Sequence, residues 1–164
     1  MDSGDYIMTE YNDLSINTIL PVLKANNQKQ ALHIMTGYAA RAIRMDQRKL
    51  LELISACERD SVSPGIGDGV AIHHLVLQNI REPYILFARA PQPIDYNAVD
   101  HKPVDLISLI ISPEMEGAYN LQRLALVSRM LRDRVLCECL RGADSADAMS
   151  ALLHEFSHPL RKAA

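Results

Sequence analysis

Two adjacent imidazoles, His73 and His74, follow a stretch with almost no side-chain bulk, Pro64-Gly65-Ile66-Gly67-Asp68-Gly69. A neutral imidazole nitrogen is a nucleophile, a proton acceptor or a metal ligand near physiological pH. Glycines at alternate positions permit positive φ and let a ligand or partner approach the backbone closely. Val70-Ala71-Ile72 has the β-branched character of a half-buried strand. Neighbouring side chains in a strand point to opposite faces. If the strand continues, only one of the two imidazoles faces whatever the glycine segment lines. One presented histidine beside a bare backbone loop is a chemical site, and the remaining elements must hold it.

Those elements alternate between strand and helix patterns. Thr18 to Leu23 predicts a short strand, with Pro21 placing it at an edge or an end. Asn26 or Asn27 caps a helix to about Arg44, striped by Leu32, Met35, Ala39 and Ile43. Asp46 caps a second helix with Leu50, Leu53, Ile54 and Cys57 on one side. After the histidine strand, Tyr84 to Arg89 predicts another, which Pro91, Pro93 and Asp95 should end. Val104 to Ile111 is nearly continuous apolar, as in a strand buried on both faces, and Pro113 closes it. Gly117 to Arg132 reads as a helix. Asp133 caps a shorter one carrying Leu136, Cys139 and Leu140, which Gly142 stops. Asp144 or Ser145 opens the last helix, striped by Met149, Leu152, Leu153 and Phe156. The alternation predicts a single layered α/β domain, a mixed sheet with helices on both faces.

Bulk composition narrows the function classes. A chain of 164 residues fits one domain, and 48% apolar with 23% charged residues is ordinary for a globular protein. A net charge of −3 argues against a nucleic-acid binder held by a basic face. Three cysteines without a pairing pattern favour a reducing, cytoplasmic setting. No apolar run approaches the roughly 20 residues of a membrane span. Residues 1–13 are polar, lack the order of a signal peptide and are expected to be a flexible segment ahead of a domain at 14–158.

Gly65-Ile66-Gly67-Asp68-Gly69-Val70-Ala71-Ile72-His73-His74 resembles the loop and strand of the fructose/mannitol class of phosphotransferase-system IIA domains. The nitrogen-regulatory branch, with its Ser-Thr-Gly-x-Gly-x-Gly run and Ala-Ile-Pro-His strand, is the nearest in pattern. Pro103-Val104-Asp105-Leu106 and the helix from Leu121 to Asp133 are also similar to family text. The resemblance implies that His74 accepts a phosphoryl group, at its distal ring nitrogen, from a histidine phosphocarrier protein. It implies a regulatory protein without cofactor or metal that signals by its phosphorylation state. The acceptor needs a free lone pair, and the phosphoryl oxygens need donors: positioning and electrostatics dominate such transfers. Ser63, the amides from Gly65 through Gly67 to Gly69, and the planar fork of Arg59 are the candidates. His73 stands where the family has Pro, as a structural residue or a modifier of His74.

The pattern departs from the family at several positions. Glu58-Arg59 inverts the usual Arg-Glu order, and Pro64 replaces a threonine. Asn120, or Gln122 two residues on, stands where a second histidine supports the acceptor; an amide hydrogen-bonds but carries no charge. These departures motivate an alternative, a IIA-like protein that docks without being phosphorylated. His154-Glu155-Phe156-Ser157-His158 matches the zinc-hydrolase text His-Glu-x-x-His, a remote alternative that Pro159 weakens by disfavouring helix at His158. The glycines are not a dinucleotide loop, because they precede a strand rather than a helix.

Overall fold

The computed structural model describes residues 14–60 and 63–157. The expected segment at 1–13 and His158 lie outside the described residues. In chain order the elements are β1 Thr18–Leu20, α1 Gln28–Ile43, α2 Gln47–Arg59, β2 Gly65–Gly67, β3 Val70–Leu77, β4 Tyr84–Ile94, β5 Val104–Pro113, a 3-10 turn Glu114–Glu116, α3 Ala118–Arg132, α4 Arg134–Gly142 and α5 Ala146–Ser157. Side-chain caps set the helix starts, because the first-turn amides have no partner within the helix. Asn27 rather than Asn26 caps α1, accepting from the Gln30 amide at 2.9 Å. Asp46 and Asp133 do the same for α2 and α4, each at 2.9 Å. Ser145, not Asp144, caps α5.

The strands form one sheet in the order β1-β4-β5-β3-β2. β3 runs parallel to β5, and β1 runs parallel to β4; β4 and β2 run antiparallel to their neighbours β5 and β3. The sheet is therefore mixed, and α1 and α2 cover one face while α3, α4 and α5 cover the other. β5 is central and buried along both faces except at Asp105. Met35 and Leu50 are fully enclosed under α1 and α2, each stabilising the fold by roughly 1.5–3 kcal/mol.

Two expectations need correction. Pro91 and Pro93 do not end the strand at Arg89: β4 continues to Ile94, which pairs with Val104 across a register shift. The reason is topological. β1 is short and pairs only with Leu86, Phe87 and Ala88, so the far half of β4 has no strand on that side to demand amide donors. The stripe of α4 is Leu136, Cys137 and Leu140, with Cys139 exposed.

Candidate functional site

β3 alternates as its sequence predicts. Ala71, Leu75 and Leu77 pack beneath α1 and α2, whereas Val70 and Ile72 pack beneath α3 to α5. His73 and His74 are therefore delivered to opposite faces of the sheet. His74 pairs with Ile110 on β5, so Ser112, two residues further along, lies on the same face as His74.

His74 Nε2 lies 3.2 Å from Ser112 Oγ. Arg123 reaches this hydroxyl from α3, donating through Nη1 at 3.1 Å. The same Nη1 donates to Asn120 Oδ1 at 3.4 Å, and Nη2 donates to Glu116 Oε2 at 2.6 Å. Asn120 in turn donates to the Pro113 carbonyl at 2.9 Å, which ties the start of α3 to the end of β5. Ser112 Oγ accepts from Arg123, and in the tautomer with the ring proton on Nδ1 it donates its own proton to Nε2. Burial, and then the positive charge of Arg123, hold the His74 pKa below its ordinary 6.5. The ring is thus neutral at physiological pH, with a lone pair aimed at a hydroxyl and a guanidinium. It sits half-buried in a groove of about 290 Å³ whose walls include Pro64 and Ile66 from the hairpin, Ile72 from β3, and Leu124 and Ser128 from α3.

His73 has a different setting. Only 1% of it is exposed, and both ring nitrogens are taken. Nδ1 meets the Glu58 carboxylate at the end of α2, and Nε2 meets the Tyr96 hydroxyl at 3.1 Å. Tyr96 is itself buried, and burial followed by the nearby Glu58 charge pushes its pKa upward.

The glycine segment is a β-hairpin. Gly65 pairs with Ala71 and Gly67 with Val70, while Gly67 and Gly69 take φ of 100° and 80°. A Cβ at Gly65 would lie 2.8 Å from Ala98 Cβ, so this glycine serves close packing of backbone. Several expected phosphate donors have resident partners here. The Gly65 amide donates to Ser63 Oγ at 3.2 Å, and the Asp68 amide to Asp100 Oδ2 at 2.8 Å. Ser63 Oγ donates to the Tyr96 carbonyl at 3.1 Å, bracing the hairpin. Arg59 is exposed and lines the groove between α1 and α2, a different one from that of His74.

Asn120 belongs to the His74 cluster, but through Arg123 and Ser112. Arg123, Ser112 and Glu116 are site members that the sequence reading omitted. One signal was available: Arg123 is three residues beyond Asn120 on one helix face, whereas Ser112 joins His74 only through the register of β5 on β3. Tyr96, in the chain after β4, is the lock on His73. His154 is exposed in the last turn of α5, and among the described residues no His, Cys, Asp or Glu cluster is arranged to hold a metal. No helix among the described residues is long and apolar enough to cross a membrane.

A mixed sheet with helices on both faces and a half-buried imidazole beside a glycine hairpin places the molecule in the class of IIA domains. The nitrogen regulatory protein IIA-Ntr of Neisseria meningitidis has a similar fold, with a TM-score of 0.77 at 25% identity over 83% of this chain and 92% of that one. The family described as "Phosphoenolpyruvate-dependent sugar phosphotransferase system, EIIA 2" matches residues 14–156, and the chain belongs to it. A nitrogen regulatory protein of Bradyrhizobium diazoefficiens is 38% identical over 135 residues, covering 82% of this chain and 88% of the relative. The mannitol IIA enzyme of Escherichia coli, solved in complex with phosphorylated mannitol IIB, shares the fold at a TM-score of 0.69 and 16% identity, over 86% of this chain and 96% of that one.

Proposed function

We propose that this chain is a regulatory IIA protein that takes a phosphoryl group on His74 from a histidine phosphocarrier and signals by whether it is phosphorylated. The observation that carries the reading is the setting of His74: a half-buried ring in an open groove, its Nε2 3.2 Å from the Ser112 hydroxyl and its pKa held down by burial and Arg123. In the transfer the Nε2 lone pair attacks phosphorus and an N–P bond forms. The donor's N–P bond breaks, and its electron pair returns to the donor imidazole. Each ring keeps the proton on its other nitrogen, so no proton is released. The apolar walls, Ile66, Ile72 and Leu124, suit a protein donor, because a docked partner would exclude the water that otherwise competes for phosphorus. The regulatory rather than sugar-delivering role follows relatives named as nitrogen regulatory proteins.

Incubation with the phosphocarrier, its kinase and phosphoenolpyruvate tests this. The expected result is a mass gain of one phosphate that His73→Ala retains and His74→Ala loses. No gain in the native protein would leave the docking role without phosphorylation.

A further inference from the structure

Resting on His74 as acceptor, we infer that Arg123, together with Ser112, holds the phosphoryl oxygens in this chain, while Glu116 and Asn120 position the guanidinium. The glycine segment supplies backbone amides but no positive charge. The Gly65 and Asp68 amides have resident partners, and Ser63 is bonded to the Tyr96 carbonyl. Arg59 lines another groove. By contrast, a single hydroxyl separates Arg123 Nη1 from the reacting nitrogen.

The exchange that accompanies transfer is simple. In the reactive tautomer, with the ring proton on Nδ1, the Ser112 proton points at the Nε2 lone pair. Once that lone pair bonds to phosphorus, the hydroxyl has lost its acceptor and turns to donate to a phosphoryl oxygen. Arg123 Nη1, which now serves Ser112 and Asn120, is directed at the same place. A guanidinium matches phosphate oxygens in geometry and cannot be deprotonated there.

Burial strengthens the interaction. The Arg123 and Glu116 side chains are only 12% and 21% exposed, so the charge is weakly screened by solvent. Glu116 accepts from Nη2, and the two Nη1 hydrogens rest on Ser112 and Asn120, acceptors that a phosphoryl oxygen, with its greater charge, displaces. Asn120, an uncharged amide at the position where a second histidine is usual in the resemblance, also accepts from Nη1. The cation has in effect moved one helical turn along α3. This accounts for how a site with asparagine at that position still supplies a positive charge.

The test uses the full chain, the phosphocarrier, its kinase and phosphoenolpyruvate, with the rate of phosphate uptake and the lifetime of the phosphohistidine as readouts. Arg123→Gln should slow uptake on the order of 100-fold, as loss of a preorganised donor does at other acyl- and phosphoryl-transfer sites. Glu116→Gln should slow it less, about tenfold, because an amide accepts from the guanidinium more weakly than a carboxylate. Arg123→Lys keeps the charge without the fork and should recover part of the lost rate. A purely structural role would also leave the acid limb of the pH–rate profile in place. Removing Arg123 should instead move that limb to higher pH, with Glu58 and Cys57 of α2 and His73 unchanged around the ring. Far-UV circular dichroism confirms folding, and if Arg123→Gln does not fold, the Arg123→Lys rate decides. Uptake within about twofold of native in a folded Arg123 variant, with native protein active, overturns this inference alone. No uptake by native protein overturns the reading of His74 beneath it.

Discussion

His73 and His74 are the same residue one peptide bond apart, and the fold assigns them opposite chemistry. His73 lies beneath α2 with a carboxylate on one nitrogen and a phenol on the other. His74 lies beneath α3, half-exposed, with a hydroxyl on Nε2 and a guanidinium behind it. The difference lies in the partners that each face of the sheet supplies. An acidic partner and an enclosed ring make a fastener between α2, β3 and the chain after β4. A basic partner and an open groove make a nucleophile.

The largest effect should separate the two rings cleanly. His74→Ala should abolish phosphate uptake, measured by intact mass, while leaving the fold largely unchanged. His73→Ala should retain uptake per folded molecule but lose about 3 kcal/mol of stability in denaturant unfolding, because the Glu58 carboxylate and the Tyr96 hydroxyl lose a buried partner. Equal loss of uptake in both variants would collapse the distinction.

A backbone change should be intermediate. Gly69 has a φ of 80°, and a Cβ there would lie 2.7 Å from Arg141 Nη2 and 3.0 Å from Asp105 Oδ1. Gly69→Ala should therefore lower stability by about 1–3 kcal/mol in the same unfolding measurement, through strain in the turn that opens β3.

The smallest effects concern pH. The His74 pKa is lowered from 6.5, so phosphate uptake should persist somewhat below that value and fail only as the ring protonates. The same shift is linked to stability. An unfolded histidine binds its proton near pH 6.5, whereas the folded ring resists it, so the contribution is present above 6.5 and is lost as pH falls through the lower folded value. Nuclear magnetic resonance titration of the His74 ring checks both, and a midpoint at or above 6.5 would contradict them.

Much of this comparison was legible in the sequence. Strand alternation requires that His73 and His74 part company, and the glycine-to-histidine text is similar to one family. Helix caps were readable because Asn27, Asp46 and Asp133 act on amides within their own first turns. Long-range contacts were not. Glu58 meets His73 and Tyr96 locks it from well outside the local sequence, and no pattern in either segment announces the meeting. The extension of β4 through Pro91 and Pro93 was hidden for a related reason. Proline forbids a strand only where a neighbour needs its amide, and the neighbour's length is a property of the sheet.

The sequence by itself determined the layered α/β architecture and the presentation of one imidazole on each side of β3, whereas the pairing of the glycine segment with β3 as a hairpin came from the structure. Periodicity and local capping act over a few residues, so they can be read from the chain. Tertiary structure alone decided which donors surround the chosen ring. Arg123 on α3 and Ser112 on β5 meet His74 through sheet register and helix packing, and electrostatic effects depend on distance in space rather than separation along the chain.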